Sequence, residues 1–164
     1  MSTTFLELLQ SKITSTFSTH APEFSEFHGD IILKIDKKSI TELAAFLKYD
    51  EQLQFVLCED ITAVDWAERK NRFSVVYHLY SLANNFRLRI MCPVDESDCS
   101  IDSVTSVWKS ASWNERETYD MYGITFNNHP DLRRMYMPDE FEYHPLRKEF
   151  PVMGIPGSLS LPKK

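Results

Sequence analysis

The densest run of chemistry-bearing side chains lies at residues 113–120, WNERETYD, followed by His129-Pro130-Asp131-Leu132-Arg133-Arg134 and His144-Pro145-Leu146-Arg147-Lys148. Glu115, Glu117, His129 and His144 carry the groups of general acids and bases, or of ligands to a divalent metal. Their spacing works against that use. The two histidines are fifteen residues apart and each precedes a proline, unlike the i,i+4 pair that sets two imidazoles on one helical face. On a helix, Glu115 and Glu117 point about 200° apart and form no carboxylate dyad. Arg116 and Asp120, four residues apart, fall on one face and are expected to pair. A free-standing metal-dependent hydrolase using Glu115 and the two histidines is therefore the minor reading.

Other chemistries have less support. Only four glycines occur, Gly29, Gly123, Gly154 and Gly157, and none sits in a phosphate-cradling GxGxxG or GxxxxGK pattern. The GIPGS run at 154–158 lacks both the spacing and the preceding strand of a nucleophile elbow. Cys58, Cys92 and Cys99 are odd in number and contain no CxxC pair, which argues against a disulfide framework and against zinc or iron–sulfur ligation. Cys58 and Cys92 read as small buried side chains. Cys99 lies among carboxylates in DESDCSID, where a thiolate is disfavoured.

Binding accounts for the cluster better. Arg116, Arg133, Arg134 and Arg147 have planar forks suited to carboxylates, and Tyr119, Tyr122, Phe126, Tyr136, Phe141, Tyr143 and Phe150 are interleaved with them. Arginine and aromatic residues are enriched at binding hot spots. Eighteen Lys and Arg against 24 Asp and Glu leave a net charge of -6, which disfavours nucleic acid and anionic membrane as direct partners.

The elements that position these residues follow from periodicity. The chain has 164 residues, 43% of them hydrophobic, which suits one compact domain. Phe5, Leu6, Leu8, Leu9, Ile13 and Phe17 make a helical stripe over 5–17. After a loop holding Pro22 and Gly29, residues 30–36 read as a buried strand. Ser39 and Glu42 predict a capping box for a second helix, with Ile40, Leu43, Ala44, Phe46 and Leu47 inward. Segments 53–66, 72–82 and 86–92 are rich in β-branched and aromatic residues and read as a three-stranded meander. Ser112 and Glu115 predict another capping box, and Gly123 a left-handed helix end. Prolines at 130, 138, 145, 151, 156 and 162 then impose extended chain. The expected fold is α+β: a two-layer domain with helices packed on one face of a mixed or antiparallel sheet, and an extended C-terminal segment. Residues 1–151 form the domain and 152–164 the tail. The first thirteen residues lack a signal-peptide pattern, and no apolar run spans a bilayer, so a cytosolic location is expected.

The run Glu115-Arg116-Glu117-Thr118-Tyr119-Asp120-Met121-Tyr122-Gly123-Ile124, with the two His-Pro blocks and the Glu149-Phe150-Pro151 close, resembles the signature of the thirty-kilodalton subunit family of NADH-quinone oxidoreductase, respiratory complex I. Val64-Asp65-Trp66, Arg72-Phe73, Tyr77-His78-Leu79 and Ser103-Val104 also look like the family's strands and their connection, so the resemblance covers about residues 53–151. Trp66 stands where the family more often has Tyr, and Glu149 where Asp is common.

The resemblance implies a peripheral-arm subunit that holds no cofactor and performs no bond chemistry itself. The whole complex would use FMN, iron–sulfur clusters, NADH and quinone. Partners would be the forty-nine-kilodalton-type subunit and the iron–sulfur subunits, on the cytoplasmic side of the inner membrane, with membrane association only through the complex. No residue is implied as catalytic, cofactor-binding or metal-binding. The signature and interface positions are Glu115, Arg116, Glu117, Asp120, Gly123, His129, Pro130, Arg133, Arg134, Pro145, Leu146, Arg147 and Lys148, with the later basic residues expected to meet partner carboxylates. The equivalent component of a membrane-bound hydrogenase or a ferredoxin-linked quinone reductase is the nearest alternative. Residues 154–164, GIPGSLSLPKK, are too small to fold alone and are expected to dock along a neighbour.

Overall fold

A computed structural model describes residues 3–67 and 70–155. Helix α1 (Thr3–Thr16) buries Leu9 and Ile13, one turn apart, and Phe17 follows them inward. Its Phe5 ring lies 4.9 Å from Phe86. Strands β1 (Glu23–Phe27) and β2 (Asp30–Lys34) form an antiparallel hairpin. The two-residue turn, His28 and Gly29, has φ of 51° and 87°, the paired positive values of a tight hairpin turn. Helix α2 (Ile40–Tyr49) buries Ile40, Leu43, Ala44 and Leu47, the i, i+3, i+4, i+7 stripe.

Strands β3 (Leu57–Asp65), β4 (Phe73–Ser81) and β5 (Phe86–Val94) are the expected antiparallel meander. β2 joins β5 in parallel, giving a mixed sheet of order β1-β2-β5-β4-β3. Register aligns Leu33, Ile90, Tyr77 and Ile61 in one row across four strands, all buried in the same core as the stripes of α1 and α2. β5 alternates along its whole length with a period of two, while the central strand β4 is buried at all of its first five positions. Cys58 and Cys92 are buried within this core.

Helix α3 (Ala111–Tyr122) lies against the edge strand β3, where the Ser110 and Thr118 hydroxyls donate to the carbonyls of Cys58 (3.2 Å) and Ile61 (3.1 Å). That covers one sheet edge. Short strands β6 (Ser100–Asp102) and β7 (Thr125–Asn127) flank α3 in sequence and pair in parallel, a two-stranded sheet that the periodicity does not reveal.

Three local expectations change. β1 lies where a loop is expected; its EFSEF places only Phe24 against the core, too little apolar pattern to mark a strand. The Ser39–Glu42 capping box is absent: Ser39 enters α2 without a side-chain cap, its hydroxyl donating to the Asp36 carbonyl, and Asp36 instead caps the preceding 3-10 turn (Lys37–Ser39) by accepting the Lys38 N–H at 2.9 Å. At α3 the helix begins one residue before Ser112, and Glu115 turns away from the helix start to a neighbouring turn.

Candidate functional site

The signature residues converge on α3 and on the chain that folds back over it. Arg116, 9% exposed, stacks 4.8 Å from the Trp113 ring and donates to the carbonyls of Arg133 and Arg134, both at 3.1 Å. One turn on, Asp120 is fully buried. Its Oδ2 accepts the N–H groups of Met135 (2.9 Å), Tyr136 (2.7 Å) and Met137 (3.0 Å), and its Oδ1 accepts from Arg134 Nη1 at 2.6 Å. The expected Arg116–Asp120 pair is therefore corrected. Asp120 has four donors converging from residues 134–137, and Arg116 satisfies the carbonyls just before them. Burial by itself raises the Asp120 carboxyl, but the three amides and Arg134 outweigh it and hold it below the usual carboxylate range.

The second His-Pro block closes the end of the same helix. A helix leaves its last four carbonyls without intrahelical donors. Here Tyr119 O accepts from Gly123 N–H at 2.8 Å, Asp120 O from His144 Nδ1 at 2.9 Å, Met121 O from Leu146 N–H at 3.1 Å and Tyr122 O from Arg147 Nε at 2.6 Å. Gly123 has φ of 73°, the left-handed end the sequence predicts. A Cβ there would lie 2.5 Å from His144 Nε2 and 2.7 Å from Arg147 Nη2, so glycine serves both the backbone and the cap.

A cationic hub ties this end to the sheet. Asp65, at the end of β3, accepts from Arg72 Nε (3.0 Å) and Nη2 (2.8 Å), from Ala67 N–H and from Lys148 N–H (2.9 Å). Burial opposes the Asp65 charge, yet Arg72 and the two amides bring its pKa down to about 2. Arg72 also pairs with Glu96 and Glu149. The Arg72 and Arg147 guanidinium groups each lie about 5 Å from the Phe73 ring centre.

Glu115 forms a separate, sealed station. Fully buried, it accepts from the Ser103 hydroxyl at 2.6 Å and the Val104 N–H at 2.8 Å. Desolvation pushes its pKa up to about 7 against those two hydrogen bonds. His129 Nε2 lies 3.9 Å from Glu115 Oε2 and 3.1 Å from the Ser112 carbonyl, while Nδ1 accepts the Asp131 N–H at 3.0 Å; that pattern fixes the tautomer with its proton on Nε2.

Glu117 is exposed on the far side of α3, and His144 is committed to the helix end. Glu115, Glu117, His129 and His144, the candidate acid-base groups, are thus not brought together, and the Glu115–His129 pair has no side-chain surface open to solvent. Among the described residues no group of three or more His, Cys, Asp and Glu is placed to hold a metal ion. No helix of the described residues is long and apolar enough to cross a membrane.

Of the remaining signature positions, Arg133 is exposed and pairs with Asp131, Pro130 is exposed, Pro145 is half-buried, and Leu146 and the Lys148 side chain face outward. Trp113, Tyr136 and Tyr143 are exposed along the same clasp, and Phe141, Tyr143 and Phe150 form a ring cluster with centroids 5.6–6.2 Å apart. Arg134 and Arg147, expected to meet a partner, make contacts within the chain. Sequence reasoning missed Asp65, Arg72, Ser103 and Thr118 as partners of the clasp; they stood only as strand or signature residues, because their roles arise between elements. Residues 156–164, most of the expected tail, lie outside the described residues; Val152 and Met153 are fully exposed.

Comparison with known proteins bears on this clasp. The family described as "Respiratory-chain NADH dehydrogenase, 30 Kd subunit" matches residues 33–155. An NADH-quinone oxidoreductase subunit of Geobacter sulfurreducens is 46% identical over 144 residues, covering 87% of this chain and 88% of that protein. A solved trypsin-resistant fragment of Nqo5 superposes with a TM-score of 0.68 at 29% identity, covering 78% of this chain and 99% of the fragment. A chain of an archaeal membrane-bound sulfane sulfur reductase complex shares the fold, with a TM-score of 0.74 at 21% identity over 90% of this chain and 86% of that one.

Proposed function

The chain belongs to the respiratory-chain NADH dehydrogenase 30 Kd subunit family, and from that premise we propose that it is a structural subunit of an NADH-quinone oxidoreductase peripheral arm, without cofactor or bond chemistry of its own. Its task is to hold the quinone-reducing module together while electrons pass from NADH to quinone through the FMN and iron–sulfur clusters of other subunits. The forty-nine-kilodalton-type subunit and the iron–sulfur subunits are its neighbours, and it reaches the cytoplasmic face of the membrane only through them.

The observation that carries this reading is the clasp. Much of the family signature is used in internal hydrogen bonds that hold residues 133–147 on α3, and the side chains left outward include Trp113, Tyr136, Tyr143, Leu146 and Arg133. A segment already ordered loses less entropy on binding, and exposed aromatic residues on a rigid support are what binding hot spots require. Arg116, Asp120, Arg134 and Arg147 of the signature organise the display through bonds within the chain.

The relatives named NADH-quinone oxidoreductase, at 46% and 47% identity, favour an NADH-linked complex over the related hydrogenase- or ferredoxin-linked assemblies. Membranes from a deletion strain test the proposal. NADH-driven quinone reduction should be lost and restored by the wild-type gene, while NADH oxidation by an artificial acceptor at the flavin end persists. Unchanged quinone reduction would overturn it.

A further inference from the structure

Where the chain leaves β7 and returns to α3, one histidine seats the turn. Asn128, Pro130 and Asp131 are exposed, but the His129 side chain has no exposed surface and both of its ring nitrogens are used. Nε2–H donates to the Ser112 carbonyl at 3.1 Å, and Nδ1 accepts the Asp131 N–H at 3.0 Å. A second ring proton would sit on Nδ1, facing the Asp131 N–H, and two donors make no hydrogen bond. The seated turn therefore holds only the neutral ring.

Glu115, 3.9 Å from His129 Nε2, fits its surroundings in either protonation state. The Ser103 hydroxyl donates to Glu115 Oε2 at 2.6 Å and lies 2.8 Å from the Thr105 hydroxyl. It can turn to donate to Thr105 and accept from a protonated Glu115 instead. Burial favours that protonated carboxyl, whose pKa is pushed up to about 7. The other titratable and charged groups around the pair are engaged or neutral. Arg116 on α3 is bound to the carbonyls of Arg133 and Arg134, and Cys58 and Tyr77 on the sheet are kept protonated by desolvation. Asp60 accepts from Asn114 at 3.0 Å, Asp102 accepts from Asn127 at 3.1 Å, and Asp131, on the turn itself, pairs with Arg133.

We propose that Glu115 and His129 form an acid-operated latch at the start of the clasp: a first proton enters on Glu115 without moving a contact, and a second, on His129, releases residues 128–132 from α3. The freed stretch leads into the carbonyls that Arg116 binds beside the exposed Trp113, so acid loosens one end of the aromatic display. Asp120 keeps the amides of Met135, Tyr136 and Met137 in place. The seated form has no room for the Nδ1 proton, whereas the released form takes it as a free imidazole does. Seating is thus complete above the ordinary imidazole range and lost as pH falls through it, with opening rising by up to about tenfold for each pH unit below.

Nuclear magnetic resonance of the full chain labelled with nitrogen-15 tests the latch between about pH 5 and 8, where free imidazoles titrate. The two ring nitrogens of His129 report its tautomer and charge, and amide protection, corrected for intrinsic exchange, reports the seating. At the upper end the ring should be neutral with its proton on Nε2. On acidification it should become an imidazolium as the Asp131 amide loses protection about tenfold per pH unit, while the amides of Met135, Tyr136 and Met137 stay protected. His129→Asn offers a side-chain oxygen that can accept the Asp131 N–H two residues on but does not titrate, so the acid response at Asp131 should vanish. Glu115→Gln should abolish the titration step at higher pH, seen at the Val104 amide, and keep the acid release. An imidazolium at His129 with the Asp131 amide still protected, a neutral ring with its proton on Nδ1, or an unchanged acid response in the His129→Asn chain overturns the proposal. The ring signals of the unaltered chain decide it even if that variant fails to fold, and each of these results leaves the subunit reading, which rests on assembly, intact.

Discussion

Replacing Asp120 with alanine should cost far more than an ordinary surface charge. The carboxylate is fully buried and collects four donors: three consecutive amides and Arg134, whose side chain is only 11% exposed. Removing one partner of such a pair strands the other, a loss of about 3–5 kcal/mol, against a total stability for a domain of about 5–15 kcal/mol. Urea unfolding of the isolated chain, followed by circular dichroism, measures the loss. Hydrogen exchange should show the amides of Met135, Tyr136 and Met137 losing protection first, because they are the ones released. A double-mutant cycle with Arg134→Ala should return a coupling above about 1 kcal/mol. Acid gives the same answer by another route. The folded carboxyl lies below its ordinary value, so its stabilisation is complete above that value and is lost as pH falls through the lower folded one. A loss under about 1 kcal/mol, the scale of an exposed ion pair, would refute the clasp as a structural unit.

Glu115 predicts the opposite slope. With its pKa raised from 4.5 to about 7, the native chain binds the extra proton between those values, so this residue's contribution to stability falls as pH rises through that window. The span corresponds to roughly 3 kcal/mol, and Glu115→Gln should remove it; equal slopes for variant and wild type would show that the carboxylate is not desolvated as described. Gly123→Ala combines positive φ with contacts under 3 Å to His144 and Arg147 and should lower stability by about 2–4 kcal/mol, read as a drop in the thermal midpoint. Arg147→Ala removes the donor to Tyr122 O and the contact with Phe73. It should destabilise the isolated chain by about 1–3 kcal/mol and also weaken assembly; an isolated chain of unchanged stability would restore Arg147 as a residue that acts only on a partner.

The sequence shows most of the sheet and little of the clasp, for a physical reason. The meander, the three helices and the Gly123 helix end are carried by periods of two or 3.6 and by one residue's freedom at positive φ, all visible within a single element. The parallel β2–β5 pairing, the β1 edge and the small β6–β7 sheet depend on distant partners or on very little apolar surface. Helical spacing offers Arg116 to Asp120, but it does not show that residues 133–137 return with carbonyls for one and amides for the other. Serine and glutamate three apart twice suggest a capping box, and twice a different acceptor or donor prevails: Asp36 in one place, Ser103 and Val104 in the other. The resemblance points to these residues while leaving open what each touches. Arg134 and Arg147 look like partner-seeking forks until the helix-end carbonyls and Asp120 are in view.

The central claim is that this chain works as a structural member of an NADH-quinone oxidoreductase. Affinity purification of the tagged chain from gently solubilised membranes, with the eluate assayed for NADH-driven quinone reduction, flavin and iron, tests it most directly. The account predicts a multi-subunit complex that carries clusters and that activity, and an Asp120→Ala chain that recovers less of it. Recovery of a lone chain with its own turnover or its own bound metal would contradict the account.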